Sequence, residues 1–262
     1  MEYIIMRFII NRVMPLFLLF VLLFPFSAQA ENNAVEVEIQ GAEAKVTLIE
    51  GKVEVIKQGM IKPQPLMLGD YVAHGDQITT KKDSRIELKL PDKSLIRFDE
   101  FTTFELVCVD FDKKTKKRNI NVSMLLGKTW ANVSKRFGQK GRFAVSTKTA
   151  VAGVRGTVYR VNVAQDNTVQ VKVYWGEVGV SSAPKPGTAS QTQQIMKPAK
   201  VLGPHPVAGP HSVSMEEWTY IVKSMQQIII LPDGTPTKPV PFLASEDAND
   251  WVLWNQERDK KN

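Results

Sequence analysis

Cysteine and histidine are scarce in this chain of 262 residues, which has one cysteine, Cys108, and three histidines. A single cysteine cannot form an intramolecular disulfide, and it leaves no cluster for structural zinc or an iron–sulfur centre. Few histidines leave little of the side chain that most often binds metals or transfers protons. The composition therefore predicts no cofactor and argues against an enzyme. We expect Cys108 to be buried as a small hydrophobic residue.

Long apolar runs are also few, and the clearest one lies near the N-terminus. Arg7 and Arg12 precede an uncharged apolar stretch over residues 13–26, and Ala28-Gln29-Ala30 has the small-x-small pattern of a signal peptidase site. The stretch is short for a membrane span and contains two prolines. We predict a cleaved signal peptide over residues 1–30 and a periplasmic or secreted mature protein without an integral membrane anchor, a retained anchor being the weaker alternative.

Short segments rich in β-branched residues follow from 44 to 181, punctuated every 8 to 12 residues by Gly, Asp, Asn or Lys. This spacing is typical of an all-β domain. Apolar and polar side chains alternate cleanly from Arg85 to Leu90, as expected for a half-buried strand. The predicted strands cover residues 45–49, 52–56, 85–90, 94–98, 102–109, 119–126, 128–134, 142–147, 149–154, 156–163, 168–174 and 176–180.

Proline marks the end of this region, because ten of the fifteen prolines follow residue 183. Such a stretch cannot maintain a strand ladder and has little apolar surface to bury. The sequence therefore predicts a proline-rich connector over residues 182–213 between the β domain and a small α-helical C-terminal region over residues 214–262.

Two helices are predicted in that C-terminal region. A capping box at Ser214 and Glu217 precedes apolar residues at spacings of three and four, which predicts a helix over 215–229. A second short helix, capped by Ser245, is predicted over 246–258. An apolar helix face more often packs on its own domain, but tryptophan is enriched at binding surfaces. The candidate partner-binding residues of this region are Trp218, Trp251 and Trp254.

Positive charge is concentrated in one part of the chain. Between Lys113 and Gln165 there are thirteen Lys or Arg residues and no Asp or Glu. A basic turn within it keeps a hairpin end solvated, or alternatively contacts an anionic surface. We do not expect nucleic acid, because the aromatic residues are not interleaved with the cations as on an RNA-binding sheet. The candidate contact residues of the turn are Lys113, Lys114, Lys116, Lys117 and Arg118.

An ordered set of motifs runs through the β region. It begins with Leu68-Gly69-Asp70 and Gly75-Asp76-Gln77-Ile78-Thr79-Thr80, and its strongest part is Val154-Arg155-Gly156-Thr157, followed by Gly176-Glu177-Val178. The set resembles the FecR domain family. The resemblance implies a roll-like or solenoid-like, mostly β domain outside the inner membrane that relays a signal. Only about forty residues precede the domain, so we do not expect the anti-sigma activity of the best-known members.

The motif residues also have a structural interpretation. Glycines supply backbone freedom at turns, and an aspartate after a glycine caps the turn rather than forming a metal or catalytic pair. Arg155 is expected to donate to an inner carboxylate or to neighbouring carbonyls, with contact to a ligand as the alternative. Lys93 stands where the family has glycine, so a turn of different geometry is expected there. The motif residues considered structural are Gly69, Asp70, Gly75, Asp76, Gly153, Arg155, Gly156 and Thr157.

The leading hypothesis is a non-enzymatic binding, adaptor or signal-sensing module that contacts an envelope protein or an anionic envelope polymer. One alternative is a structural protein of the cell envelope. Another is a subunit of a glycan-acting envelope enzyme that uses Asp99 and Glu100 as an acid–base pair. Neighbouring residues of a strand point to opposite faces, which arranges that pair poorly. The sequence leaves the oligomeric state open.

Overall fold

The computed structural model describes residues 42–135, 141–184 and 219–261. These ranges contain seventeen strands and one helix, which confirms an all-β domain with a small helical end. The strands are β1 Ala44–Glu50, β2 Val53–Ile56, β3 Gln64–Pro65, β4 Tyr71–Val72, β5 Gln77–Thr80, β6 Arg85–Lys89, β7 Leu95–Phe98, β8 Thr103–Phe111, β9 Arg118–Asn132, β10 Gly141–Ser146, β11 Ala150–Val154, β12 Val158–Val163, β13 Val169–Trp175, β14 Glu177–Ser182, β15 Thr219–Lys223, β16 Gln226–Ile230 and β17 Val240–Pro241, and the helix is α1 Asp250–Lys260.

The strands form two sheets that share β9. In sheet A the order is β4-β1-β6-β7-β9-β12-β13-β16-β17. In sheet B the order is β3-β2-β5-β8-β9-β10-β11-β14-β15. The pairing of β9 with β10 is parallel and the other pairings of these strands are antiparallel. Because the chain passes repeatedly from one sheet to the other, the architecture is a roll.

Gly127 lies at the point where β9 leaves sheet B and enters sheet A. Its φ is +103°, and a Cβ placed there would lie 2.2 Å from Thr102 Oγ1. The N-terminal part of β9 pairs with β8 and β10, and the part from Gly127 onwards pairs with β7 and β12. The two strands predicted over 119–126 and 128–134 are therefore one long strand, and its glycine makes a bend rather than a turn.

One apolar core lies between the two sheets. Phe98 of sheet A stacks on Phe104 of sheet B with 3.5 Å between the ring centroids, and neither ring is exposed. Alternate residues of almost every strand enter this core, as the period of two in the sequence predicts. The core includes Val222, Ile228 and Ile230 from the C-terminal part of the chain.

Residues 219–230 form two strands joined by a short turn, one strand in each sheet, so the helix predicted over 215–229 is wrong wherever the structure describes it. Strand β15 pairs with β14 and β16 pairs with β13. Met225, at φ +61°, lies in the turn between them. The two strands bury Val222, Ile228 and Ile230, a period-two pattern that β-branched residues favour. Ser214, Glu217 and Trp218 lie outside the described residues.

The proline-rich stretch joins two neighbouring strands of one sheet. Ser181 near the end of β14 and Thr219 at the start of β15 are Cα partners in the antiparallel ladder. Residues 185–218 themselves lie outside the described part of the chain. The division into a β domain and a helical region over 214–262 is therefore wrong for the residues after 218, because β15, β16 and β17 complete both sheets.

Helix α1 packs on the outer face of sheet A. It begins after Asn249, whose side chain accepts a hydrogen bond from Val252 N at 3.1 Å, and not after the predicted cap Ser245. Trp251 and Val252 contact Trp130 of β9. No helix in the described ranges has both the length and the apolar character to span a membrane. The predicted signal peptide lies outside those ranges.

Candidate functional site

The tryptophans of α1 pack against other side chains of the same molecule. Trp251 is buried against Trp130, and the half-buried Trp254 stacks beside it with 5.5 Å between the ring centroids. The Arg85 guanidinium lies 5.5 Å from the Trp251 ring and 4.9 Å from the Trp254 ring, a cation–π arrangement. Because Trp251 is buried, it is not available to a partner, and the candidate role predicted for it is wrong.

A buried charge network fastens α1 to sheet A. Arg97, which has no exposed surface, donates to Glu87 at 2.6 Å and to Asp259 of α1 at 2.7 Å. Burial opposes ionisation of Glu87, but its bonds to Arg97 and Thr47 and the nearby Arg258 hold the pKa of its carboxyl below 4.5. These opposite charges pair with one another between α1 and sheet A, so they form a structural clamp rather than a binding site.

The segment before α1 is fastened in a similar way. Asp247 is buried and accepts hydrogen bonds from Arg160, Lys172 and Tyr174 on β12 and β13. Two cations of the basic stretch are therefore paired within the fold here, because Arg160 belongs to this cluster and Lys128 pairs with Asp99 at 2.9 Å, and Arg118 is a third.

Arg118 is buried as well, so it does not belong to a basic surface. Its guanidinium pairs with Asp92, which is also fully buried, and lies 5.5 Å from the Phe143 ring. Removing either member of such a pair leaves an unpaired buried charge, so the pair serves the fold. The basic turn, Lys113, Lys114, Lys116 and Lys117, is exposed between β8 and β9. Asp112 organises it by accepting the backbone N–H of Lys114 at 2.7 Å.

Asp92 and Lys93 form the turn that departs from the family pattern. Lys93 has φ +67°, so the left-handed conformation is kept even though the residue is lysine. Asp92 accepts a bond from Ser94 N at 3.0 Å and another from its hydroxyl at 2.7 Å. The expectation of a turn without a left-handed residue is wrong, because these hydrogen bonds and the Arg118 pair hold the backbone in place.

Asp99 and Glu100 line the same cavity, of about 440 Å³, but each already has a structural partner. Asp99 accepts from Arg85 Nε at 3.1 Å and from Lys128 Nζ at 2.9 Å. Glu100 accepts from Asp83 N at 2.8 Å. Each carboxylate is thus engaged in bonds to neighbouring elements of the fold. The geometry therefore does not favour this pair as an acid and a base.

The aspartates of the first motifs cap turns. Asp70 accepts from Met67 N at 2.8 Å, and Asp76, which is buried, accepts from Gln58 N and Ala73 N and pairs with Lys57 at 2.8 Å. The glycines before them, Gly69 and Gly75, have φ +92° and +78°. Among the described residues, no group of three or more His, Cys, Asp or Glu side chains is placed to hold a metal ion.

Cys108 lies at a bulge in β8 and is half-buried rather than enclosed in the core as expected. Its thiol contacts the Asp110 carboxylate at 3.1 Å. Burial, and then the neighbouring Asp110 carboxylate, raise the pKa of Cys108 to about 11. The residue is therefore a poor nucleophile at neutral pH.

The second part of the motif set surrounds an open groove on the outer face of sheet B. We call this the glycine groove; its volume is about 720 Å³. The lining side chains comprise three cations, one carboxylate and exposed apolar groups, and the floor includes two glycines from adjacent strands. The residues that the argument uses are Lys135, Arg142, Gly153, Arg155, Trp175, Glu177, Gly179 and Ile221.

The floor of the groove is bare backbone. Gly153 of β11 and Gly179 of β14 are Cα partners, and neither has the left-handed backbone that requires glycine. A Cβ at Gly153 would have its nearest neighbour at 3.9 Å, and one at Gly179 at 3.7 Å, so a side chain fits at both positions. Gly153 was expected at a turn, and that expectation is wrong. Glycine inside a strand costs stability, yet the fold requires it at neither position.

The rim of the groove is cationic. Arg155 is exposed and makes no hydrogen bond or ion pair within the described ranges, so the expected pairing with an inner carboxylate is wrong and the ligand-facing alternative remains. Arg142 is exposed in the same way. Lys135 Nζ lies 3.4 Å from the centroid of the Trp175 ring. Trp175 is 45% and Ile221 53% exposed, which places large apolar surface beside the charges.

Gly156 and Thr157 hold the rim in position. Gly156 has φ +68°, and a Cβ there would lie 2.5 Å from Lys135 Cγ. Thr157 is buried and donates to the carbonyl of Glu177 at 3.0 Å. The sequence signal for Arg155 was its motif, whereas Lys135, Arg142, Trp175, Gly179 and Ile221 were missed. Their side chains converge only because distant strands pair, although glycines inside two predicted strands were a usable hint.

The protein is thus an all-β roll with an open, cation-rimmed groove on sheet B. Residues 76–179 match the model of the family described as FecR protein, and the matched stretch includes both floor glycines. Two crystal structures of a "putative anti-sigma factor" from Parabacteroides distasonis are similar at 16% identity and a TM-score of 0.42. The match covers 64% of this chain and 61% of that chain. Comparison with curated proteins found no match.

Proposed function

We propose that the protein is a non-enzymatic signal-sensing or adaptor module that binds another component of the cell envelope through the glycine groove. The observation that carries this proposal is the bare floor at Gly153 and Gly179, where the fold would accept side chains. Strand glycines that the backbone does not need are typical of sites where another molecule approaches closely.

The other charged clusters support a binding role over catalysis. Arg97, Arg118 and Arg160 are buried in ion pairs with carboxylates, whereas Arg142 and Arg155 are exposed at the groove. The match of residues 76–179 to the FecR family supports a module that transmits a signal by binding. The periplasmic location is part of the proposal and rests on the signal-peptide pattern over residues 1–30.

The test is site-specific photocrosslinking in intact cells, with a photoreactive phenylalanine derivative at Ile221 of the full-length chain. We expect one dominant adduct with an envelope component. Leu253 on α1, which is 49% exposed, is the matched control position and should not give that adduct. Full-length protein is necessary because truncation after Ser181 would remove core residues such as Val222 and Ile228.

Gly179→Val provides the second arm of the test. The Cβ of valine has only ordinary van der Waals contacts at this position and valine favours a strand, so the variant should fold and lose the Ile221 adduct. Equal adducts at positions 221 and 253, or an adduct that Gly179→Val leaves unchanged, would refute a role for the groove. Absence of any specific adduct would favour the alternative of a structural envelope protein.

A further inference from the structure

We infer that the occupant of the glycine groove is an extended, acidic segment of a partner protein. The inference rests on the proposed function and specifies the chemistry of its partner. In this arrangement the partner's backbone lies over Gly153 and Gly179, its carboxylates meet Arg142 and Arg155, and an apolar side chain contacts Ile221.

The shape of the groove fits an extended main chain. Ala144, Gly153, Gly179 and Ile221 are successive cross-strand partners on β10, β11, β14 and β15. Ala144 is fully buried, so the open floor consists of Gly153 and Gly179. Strands lie about 4.8 Å apart, so these two neighbouring strands give a trench about 10 Å long that ends against Ile221. An extended chain rises about 3.3 Å per residue, so about three residues fit along it.

A charged row runs beside this trench. Arg142, Arg155, Glu177 and Lys223 each lie two residues along the chain from a member of the first row, so the strand period places them on the same side. All four are exposed. With Lys135, which also lines the groove, the charges are four positive and one negative. This excess favours an acidic partner.

The basic turn extends the positive field to the same end of sheet B. Arg118, which follows the turn, is the Cα partner of Gly141, the first residue of β10 and a lining residue of the groove. The turn therefore lies within a few residues of Arg142. Exposed cations at this distance steer an anionic partner towards the groove and make its association dependent on salt.

The details favour a polypeptide over a glycan or a lipid surface. Lys135 Nζ covers one face of Trp175, which leaves less of that ring for stacking on a sugar. Glu177 lies in the charged row. Its carboxylate would accept a backbone N–H of a bound peptide but would repel a polyphosphate. Arginine binds carboxylates through two parallel hydrogen bonds, and two arginines beside the trench suit acidic residues on an extended chain.

The test is selection of ligands from a library of random ten-residue peptides by the purified full-length protein. Peptides that also bind Gly179→Val are removed by counter-selection. We expect the enriched peptides to carry net negative charge, with acidic residues two apart. For a synthetic enriched peptide, Arg142→Gln combined with Arg155→Gln should weaken binding at least tenfold, and Lys148→Gln, at an exposed cation that does not line the groove, should not.

Other outcomes overturn the inference. Enriched peptides that are neutral or basic, or binding that survives the double arginine variant, would refute an acidic occupant. Binding to phosphatidylglycerol vesicles that Gly179→Val abolishes would assign the groove to a lipid surface instead. If the Ile221 adduct in cells is a glycan or a lipid, the proposed function stands and the acidic peptide is refuted. If no adduct forms at Ile221, both fail.

Discussion

Gly153 and Gly156, three residues apart in one motif, are glycines for different physical reasons. Gly156 has a left-handed backbone beside Lys135, so a side chain there is strained. Gly153 has room for a Cβ and no conformational need for glycine. The sequence could not distinguish them, because the difference lies in φ and in contacts from another part of the chain. Gly156 therefore serves the fold, and Gly153 is available for function.

We predict that Gly156→Val destabilises the protein and that Gly153→Val does not. Valine at position 156 meets left-handed backbone and the Lys135 side chain, so it should lower the free energy of unfolding by about 2 kcal/mol. Thermal unfolding should show a Tm roughly 4–8 °C lower. Gly153→Val should leave Tm unchanged or raise it, because valine favours a strand. An equal loss in both variants would show that Gly153 is also structural.

Cys108 should react slowly with alkylating reagents. Its pKa of about 11, compared with an ordinary value of 9.0, lowers the thiolate fraction at pH 8 about 100-fold, and the greater nucleophilicity of a more basic thiolate offsets part of this. We expect alkylation by iodoacetamide about tenfold slower than for an unperturbed thiol. Asp110→Asn removes a neighbouring negative charge and should accelerate it. A rate equal to that of the unfolded protein would contradict the pKa.

Arg118 and Arg155 exchange the roles that the sequence predicts for them. Arg118, assigned to a basic surface, is a core residue paired with Asp92, and Arg155, assigned to an inner ion pair, is exposed at the groove. Which face an arginine takes depends on where a strand begins, and an error of one residue reverses it. Motif and charge identified the relevant stretch, but not the direction of each side chain.

At the scale of elements, the alternation of apolar residues located most strands, and the failures have identifiable causes. Gly127 suggested a turn, but it bends one continuous strand between two sheets. In β15 and β16, apolar residues recur at spacings of three and four by coincidence. The structure buries Val222, Ile228 and Ile230 and leaves Ile221 exposed. The run of three isoleucines from 228 to 230 was the local signal for a strand.

Docking of α1 should contribute substantially to stability. Trp251 is 3% exposed and packs on Trp130, so Trp251→Ala should lower the free energy of unfolding by about 3 kcal/mol. Denaturant titration measures the change. Leu253→Ala is the matched control on the same helix, because Leu253 is exposed and its truncation leaves no cavity. Equal effects of the two substitutions would mean that α1 is not docked as the structure shows.

At the scale of the whole molecule, the clamp between α1 and sheet A makes the free energy of unfolding depend on pH in the acid range. The pKa of Glu87 lies below 4.5 in the folded protein, so its contribution is present above about pH 4.5 and is lost as pH falls through the folded pKa. Glu87→Gln should lower Tm at pH 7, and the difference from wild type should shrink below pH 4.5. Glu43→Gln, at an exposed position, is the control. A difference independent of pH would refute this role.

The all-β class and the FecR resemblance could be predicted from sequence, whereas the architecture could not. The sharing of β9 and the completion of both sheets by residues after 218 depend on pairings between distant parts of the chain. The groove depends on the same pairings, since Gly153 and Gly179 come together only in the β11–β14 ladder. Local patterns do not contain such information.

The pairing of Ser181 with Thr219 has a consequence for chain integrity. A proteolytic nick between residues 185 and 218, a proline-rich stretch that we expect to be cut first, breaks covalent continuity without removing a strand pair. The two fragments should therefore co-elute as one species of full size in gel filtration and separate only when denatured. The covalent link between β14 and β15 is then dispensable once folding is complete. The fragment with the last three strands stays bound to the rest of the protein through its strand pairs.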